Sequence, residues 1–156
     1  MKIQSRSRFD LRPLPQADEA HPLSEILIDG HPSSVTIAGA VLEACVECDD
    51  GFLVFASDDI PYEETLRIYL LNPALTVLDK ATLSAPYTTG AFANLRIVDR
   101  STLRFDFFGG VPWTLTLHEH EVFALPWRPA PRGVRRPFGL RRRFQLSGDP
   151  LPDKDG

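Results

Sequence analysis

In three segments between Leu95 and Leu117, large apolar residues recur at every second position: Leu95-Arg96-Ile97-Val98, Leu103-Arg104-Phe105-Asp106-Phe107 and Trp113-Thr114-Leu115-Thr116-Leu117. A period of two places those side chains on one face of an extended strand, whereas a helix would need a period near 3.6. The connectors Asp99-Arg100-Ser101 and Gly109-Gly110-Val111-Pro112 are rich in turn formers. These segments therefore read as half-buried antiparallel strands, apolar on one side and polar on the other.

The same scheme extends towards the N-terminus. Glu25-Ile26-Leu27-Ile28-Asp29, the turn Gly30-His31-Pro32-Ser33 and Val35-Thr36-Ile37 form a hairpin pattern. An extended run continues through Cys48, with Gly39 expected as a bulge that changes which parity faces inward. Val41 to Cys48, rich in Ala and Glu, is the best helical segment on offer, but its β-branched neighbours and the turn Asp49-Asp50-Gly51 favour a strand. Phe52 to Ala56, Leu66 to Leu70 and Leu75 to Leu78 complete the series, the last two joined at Asn72-Pro73. The expected fold is all-β: an antiparallel meander forming a sandwich or a partly open barrel. Its expected core comprises Ile26, Ile28, Val35, Ile37, Leu53, Phe55, Leu66, Ile68, Leu70, Leu95, Ile97, Leu103, Phe105, Phe107, Leu115 and Leu117.

Both ends are Pro-rich, yet Phe9 and Leu11 alternate with charged residues, and Phe138, Leu140, Phe144 and Leu146 share one parity. Each end is expected to add a short edge strand. Residues 1–148 are expected to form a single β-rich domain, and 149–156 a flexible C-terminal tail without apolar periodicity. A chain of 156 residues can bury a core that stands without disulfides or metal. No run approaches the roughly 18 to 20 apolar residues of a membrane span, and the N-terminus lacks a secretory apolar stretch. Two cysteines do not make a disulfide scaffold, so the expected location is cytoplasmic, with no membrane partner.

The net charge of −4 conceals a segregation. From Pro13 to Leu66 there are twelve acidic residues and no Lys or Arg; from Arg128 to Leu146 there are seven arginines and no acid. The N-terminus is basic as well. Either the ends fold back and neutralise the acidic half through surface ion pairs, or one of the two charged surfaces is offered to a partner.

Cys45-Val46-Glu47-Cys48 is a lone C-x-x-C. A redox pair of this type opens a helix whose N-terminus lowers the thiol pKa, whereas Glu43, Glu47, Asp49 and Asp50 act in the opposite sense. A zinc site needs two further ligands, and His118 and His120 are the pair on offer. Cys45 and Cys48, however, are three apart and face opposite sides of a regular strand. No metal and no cofactor are expected. The carboxylate pairs Asp49-Asp50, Asp58-Asp59 and Glu63-Glu64 read as solvated turns, because adjacent carboxylates in water seldom split their pKa values as acid-base work requires. They also lack the spacing of a regular calcium loop. No nucleophile elbow and no Gly-rich phosphate loop occurs.

These observations favour a non-catalytic protein-binding module. Its acidic face, formed by Asp49, Asp50, Asp58, Asp59, Tyr62, Glu63 and Glu64, would recognise a basic protein partner, as an inhibitor or immunity protein neutralises a toxin or nuclease. The alternative is a small-ligand or RNA-binding protein using Arg132, Arg135, Arg136, Arg141, Arg142 and Arg143, whose forks match phosphate while Phe138 and Phe144 offer stacking. An enzyme with a site of dispersed residues is the other alternative. The acidic pI of about 5.5 weighs against a dedicated nucleic-acid binder.

Overall fold

The computed structural model describes residues 1–15, 21–49, 51–59, 65–84, 91–107, 112–123, 133–136 and 141–148. Among these, the strands in chain order are β1 (Lys2–Ile3), β2 (Phe9–Pro13), β3 (Leu23–Ile28), β4 (His31–Ala38), β5 (Val41–Cys48), β6 (Gly51–Ser57), β7 (Thr65–Leu71), β8 (Val77–Ser84), β9 (Ala93–Ile97), β10 (Thr102–Asp106), β11 (Pro112–Phe123), β12 (Val134–Arg135) and β13 (Arg141–Ser147). The fold is all-β and sandwich-like, without a closed barrel. Three antiparallel sheets make it up: six strands in the order β1-β5-β6-β7-β8-β12, four in the order β13-β11-β10-β9, and three in the order β2-β3-β4.

Strand β6 explains how the sheets stack. All seven of its residues are buried. Leu53 and Phe55 pack in one core with Leu103, Phe105, Trp113, Leu115, Phe144 and Leu146 of the four-stranded sheet. Phe52, Val54 and Ala56 point the other way, into a second core with Phe9, Leu11, Ile26 and Ile37 of the three-stranded sheet. The six-stranded sheet is thus covered on both faces. That is why Phe52 to Ala56 is a continuous apolar run, whereas the strands of the outer sheets alternate. Ring contacts reinforce each core: Phe55 meets Phe105 edge-on at 5.3 Å, and Phe9 meets Phe52 at 5.3 Å.

Val41 to Cys48 is a strand, and Gly39 is a corner between two sheets rather than a bulge within one strand. With φ of +134°, Gly39 turns the chain from β4 of the three-stranded sheet into β5 of the central one, and a Cβ there would lie 2.9 Å from that of Ala56. Both ends contribute strands, β1 and β2 at the N-terminus and β12 and β13 at the C-terminus. Phe9 and Phe144, at those two ends, are completely buried.

Most of the expected core is buried. Ile28, Val35, Leu95 and Leu117 are only half-buried. Ile97 is 37% exposed, because β9 is the edge of its sheet and Ile97 stands at the end of that strand. The core also recruits Trp113, at the start of β11, and the second parity of β5 and β6.

Candidate functional site: the acidic end of the central sheet

Strand β6 runs out at Ser57, and Asp58 and Asp59 follow it towards the connection with β7. The two neighbours have opposite surroundings. Asp58 is buried, and Arg67 of β7 grips it through two parallel bonds, Nε to Oδ1 at 2.8 Å and Nη2 to Oδ2 at 2.9 Å. This fork-to-carboxylate geometry is the strong, directional form of an ion pair. The bond to Asp58 raises the Arg67 pKa, against the opposing effect of burial. Asp59 is exposed, with its backbone in the left-handed region at φ +55°.

Other polar contacts fasten the same end. Ser57 Oγ donates to Glu43 Oε1 at 2.8 Å, and the Tyr69 hydroxyl donates to the Ala38 carbonyl at 2.8 Å. Burial raises the Tyr69 pKa, so its phenol stays protonated as a donor. Ser24 Oγ donates to the Gly39 carbonyl at 2.7 Å, and His21 Nδ1 lies 3.4 Å from Arg67 Nη2. The three-stranded sheet is thereby tied to the end of β6 and β7. Glu43 and Asp59 are the exposed carboxylates beside this braced platform.

Among the residues expected to form the acidic face, Asp50, Tyr62, Glu63 and Glu64 lie outside the described residues. Asp49 does not join Asp58 and Asp59. Cys48 pairs with Gly51, and Val41 with Ser57, so Asp49 and Asp59 stand at opposite ends of β6. At roughly 3.3 Å per residue they are about 20 Å apart. Proximity in sequence divides here into two sites.

The arginine-rich segment is divided too. Arg135 is exposed on β12, while Arg136 turns inward to Asp79 of β8 at 2.5 Å. Arg142 and Arg143 are half-buried on β13, the backbone of Arg141 pairs with Phe123, and Arg132 lies outside the described residues. At the N-terminus, Arg8 pairs with Asp29 at 2.6 Å and Arg12 pairs with Glu25. That end does fold back on the acidic half, whereas the pair made by Arg136 falls outside the acidic stretch.

Cys45 and Cys48 face opposite sides, Cys45 in the core beneath the three-stranded sheet and Cys48 against the other core. Burial, followed by the nearby Cys48 and Glu47, pushes the Cys45 thiol far up, so it is a poor nucleophile and a poor ligand. His118 to Glu121 form a bulge of four residues on β11 against the single Arg143 of β13. Among the described residues, no three of His, Cys, Asp or Glu come together to hold a metal ion.

Arg67 and Asp79 organise the two polar sites, and neither stands out in the sequence. Arg67 occupies the polar parity of Leu66-Arg67-Ile68, where a solvated side chain is the ordinary expectation. Asp79 falls on the apolar parity of β8 with Ala81 and Leu83, where a carboxylate is expected to end a strand. No model of a known protein family matches the chain, and comparisons with curated proteins and with solved structures found no match either.

Proposed function

We propose that this protein is a non-catalytic binding module of the cytosol that recognises a basic protein through the acidic end of its central sheet, in the manner of an inhibitor or immunity protein. The observation that carries the reading is the contrast between Asp58 and Asp59. One is neutralised and locked into the sheet by Arg67, and the other is left exposed at the start of a connection that also contains Glu63 and Glu64 in sequence. Asp59 directly follows the locked Asp58, so its backbone leaves a fixed point of the sheet and less ordering is required there on binding. The chain has no Lys or Arg between Pro13 and Leu66 to screen them from nearby sequence.

The fate of the chemically capable groups supports a binding role over an enzymatic one. The Cys45 thiol is buried and poorly ionised, and Asp58 and Asp79 are neutralised by arginines. The test is capture from the native host on immobilised wild type and on a variant carrying Asp59→Asn with Glu63→Lys, followed by reconstitution with purified components. A basic protein held by the wild type and lost by the variant is the expected result. A purified partner that binds both equally overturns the reading.

A further inference from the structure

A second charged surface lies on the far side of the molecule's largest core, and it is built independently of the acidic end. On the outer face of the four-stranded sheet, Arg96 of β9 stands directly opposite Arg104 of β10. Arg104 is in turn opposite Thr114, and Thr114 opposite Ser147, so the two arginines head a polar row that crosses the sheet. Both arginines are exposed, and neither is ion-paired among the described residues. The nearby carboxylate of Asp106 accepts instead from Asn94 Nδ2 at 2.7 Å. Like charges directly opposite on neighbouring strands oppose the pairing that brings them together. An anion beside them relieves that opposition.

Strand β9 is also an edge. It pairs with β10 on one side, and among the described residues nothing pairs with the other. The Val98 amide donates to the Thr102 carbonyl at 2.9 Å, and Arg96 pairs with Arg104. Backbone groups alternate in direction along a strand, so the amide and carbonyl of Ile97, between those two residues, point to the open side. Ile97 is 37% exposed and Val98 52%, while Leu95 packs partly against the core.

We propose that the β9 edge receives an extended acidic segment of a partner protein, which joins the four-stranded sheet as a fifth strand. Its backbone pairs with the open side of Ile97. Its outward side chains are Asp or Glu set beside Arg96, and its alternate side chains are apolar and lie against Leu95 and Ile97. A peptide rather than a nucleic acid fits this surface for two reasons. Only a peptide can use the unpaired backbone. In addition, Phe105, Trp113 and Phe144 of this sheet all point into the core, so none of these three large rings is offered to bases. The same arginine pair repels a second copy of β9, which selects against self-association and for an acidic strand.

The probe is a short capped peptide of alternating Glu and Val, titrated into the full chain while amide hydrogen exchange is followed at Ile97. Binding is expected, with slowed exchange at Ile97 and no binding of the matching Lys and Val peptide. Arg96→Glu and, separately, Arg104→Glu are exposed substitutions that keep the sheet, and Arg96→Glu is expected to weaken binding by about tenfold or more. Ile97→Pro removes the outward donor while leaving the bonds to β10, and it too is expected to weaken the complex. Failure of the Glu and Val peptide to bind overturns the proposal, as does binding indifferent to Arg96→Glu and Ile97→Pro. Single-stranded RNA that binds in place of the peptide and is lost in Arg96→Glu would reassign the face to nucleic acid.

Discussion

Asp79 and Arg136 are 57 residues apart in the chain, and their side chains meet at 2.5 Å in a site that excludes most solvent. The same carboxylate oxygen accepts the backbone amides of Arg143 at 2.8 Å and Phe144 at 3.3 Å. Arg136 donates back to the Phe144 carbonyl at 3.1 Å, and its guanidinium carbon lies 4.3 Å from the centre of the Phe144 ring. Burial lowers the Arg136 pKa and Asp79 opposes that shift, so the guanidinium stays charged at ordinary pH. One carboxylate on the central sheet thus clasps a strand of the four-stranded sheet.

Removing half of this clasp leaves a buried charge without its counterion. Asp79→Asn is expected to cost about 3 to 5 kcal/mol in urea unfolding, since the desolvated guanidinium remains. Replacing both residues by apolar ones of similar size should recover much of that loss. A change below about 1 kcal/mol for Asp79→Asn would mean that the pair contributes little.

Asp58 and Asp59 should respond to the same substitution in opposite ways. Asp58→Asn disables a buried fork and is expected to destabilise the fold by several kcal/mol, of the order known for broken buried pairs. Asp59→Asn retains a residue type tolerant of the left-handed backbone and should stay within about 0.5 kcal/mol. Thermal unfolding of the two variants checks both at once.

The N-terminal pairs belong to a different class. The Arg8 side chain is 37% exposed and its partner Asp29 59%, so Arg8→Ala is expected to cost less than about 1 kcal/mol, with the difference shrinking further in high salt. Loss of the cation-ring contact that Arg8 makes at 5.8 Å from the Phe52 centre is included in that figure.

Gly51 is fixed by close approach. A Cβ there would lie 1.9 Å from the Leu71 carbonyl oxygen, and φ is +139°. Gly51→Ala is therefore expected to be among the most damaging single substitutions, separating β6 from β7, and a soluble variant of near wild-type melting temperature would contradict this.

Thiol labelling separates core from chemistry. Cys45 should stay unmodified by a thiol reagent at neutral pH until the chain unfolds, because its thiolate is disfavoured by burial and the reagent cannot reach it. Rapid modification of Cys45 in the native protein would contradict its assignment to the core.

The fold class was legible because period-two alternation is a local signal. Leu103, Phe105 and Leu115 are buried as their parity requires, and so are Phe9, Leu11, Phe144 and Leu146 at the Pro-rich ends. The third layer was not legible. Phe52 to Ala56 carries no alternation that reveals a second covering sheet, and Gly39 marks a change of sheet that a sequence cannot distinguish from a bulge. The site was legible only as composition. Asp58 and Asp59 look alike until the register of β6 against β7 brings Arg67 to one of them, and Arg135 and Arg136 look alike until Asp79 takes the second. Strand pairing is non-local, so the sequence does not say which charges are consumed inside the fold.

The most direct test of the proposed acidic recognition surface is the association rate of the purified partner with wild type and with Asp59→Asn and Glu63→Lys variants, measured from low to high salt. Electrostatic steering acts chiefly on the on-rate and is screened over a Debye length of about 8 Å at physiological ionic strength. The expected result is a wild-type rate that falls as salt rises, with variant rates that start lower at low salt and depend on salt more weakly. Equal rates for all three proteins at every salt concentration, with their folds intact, would contradict recognition through the acidic end of the central sheet.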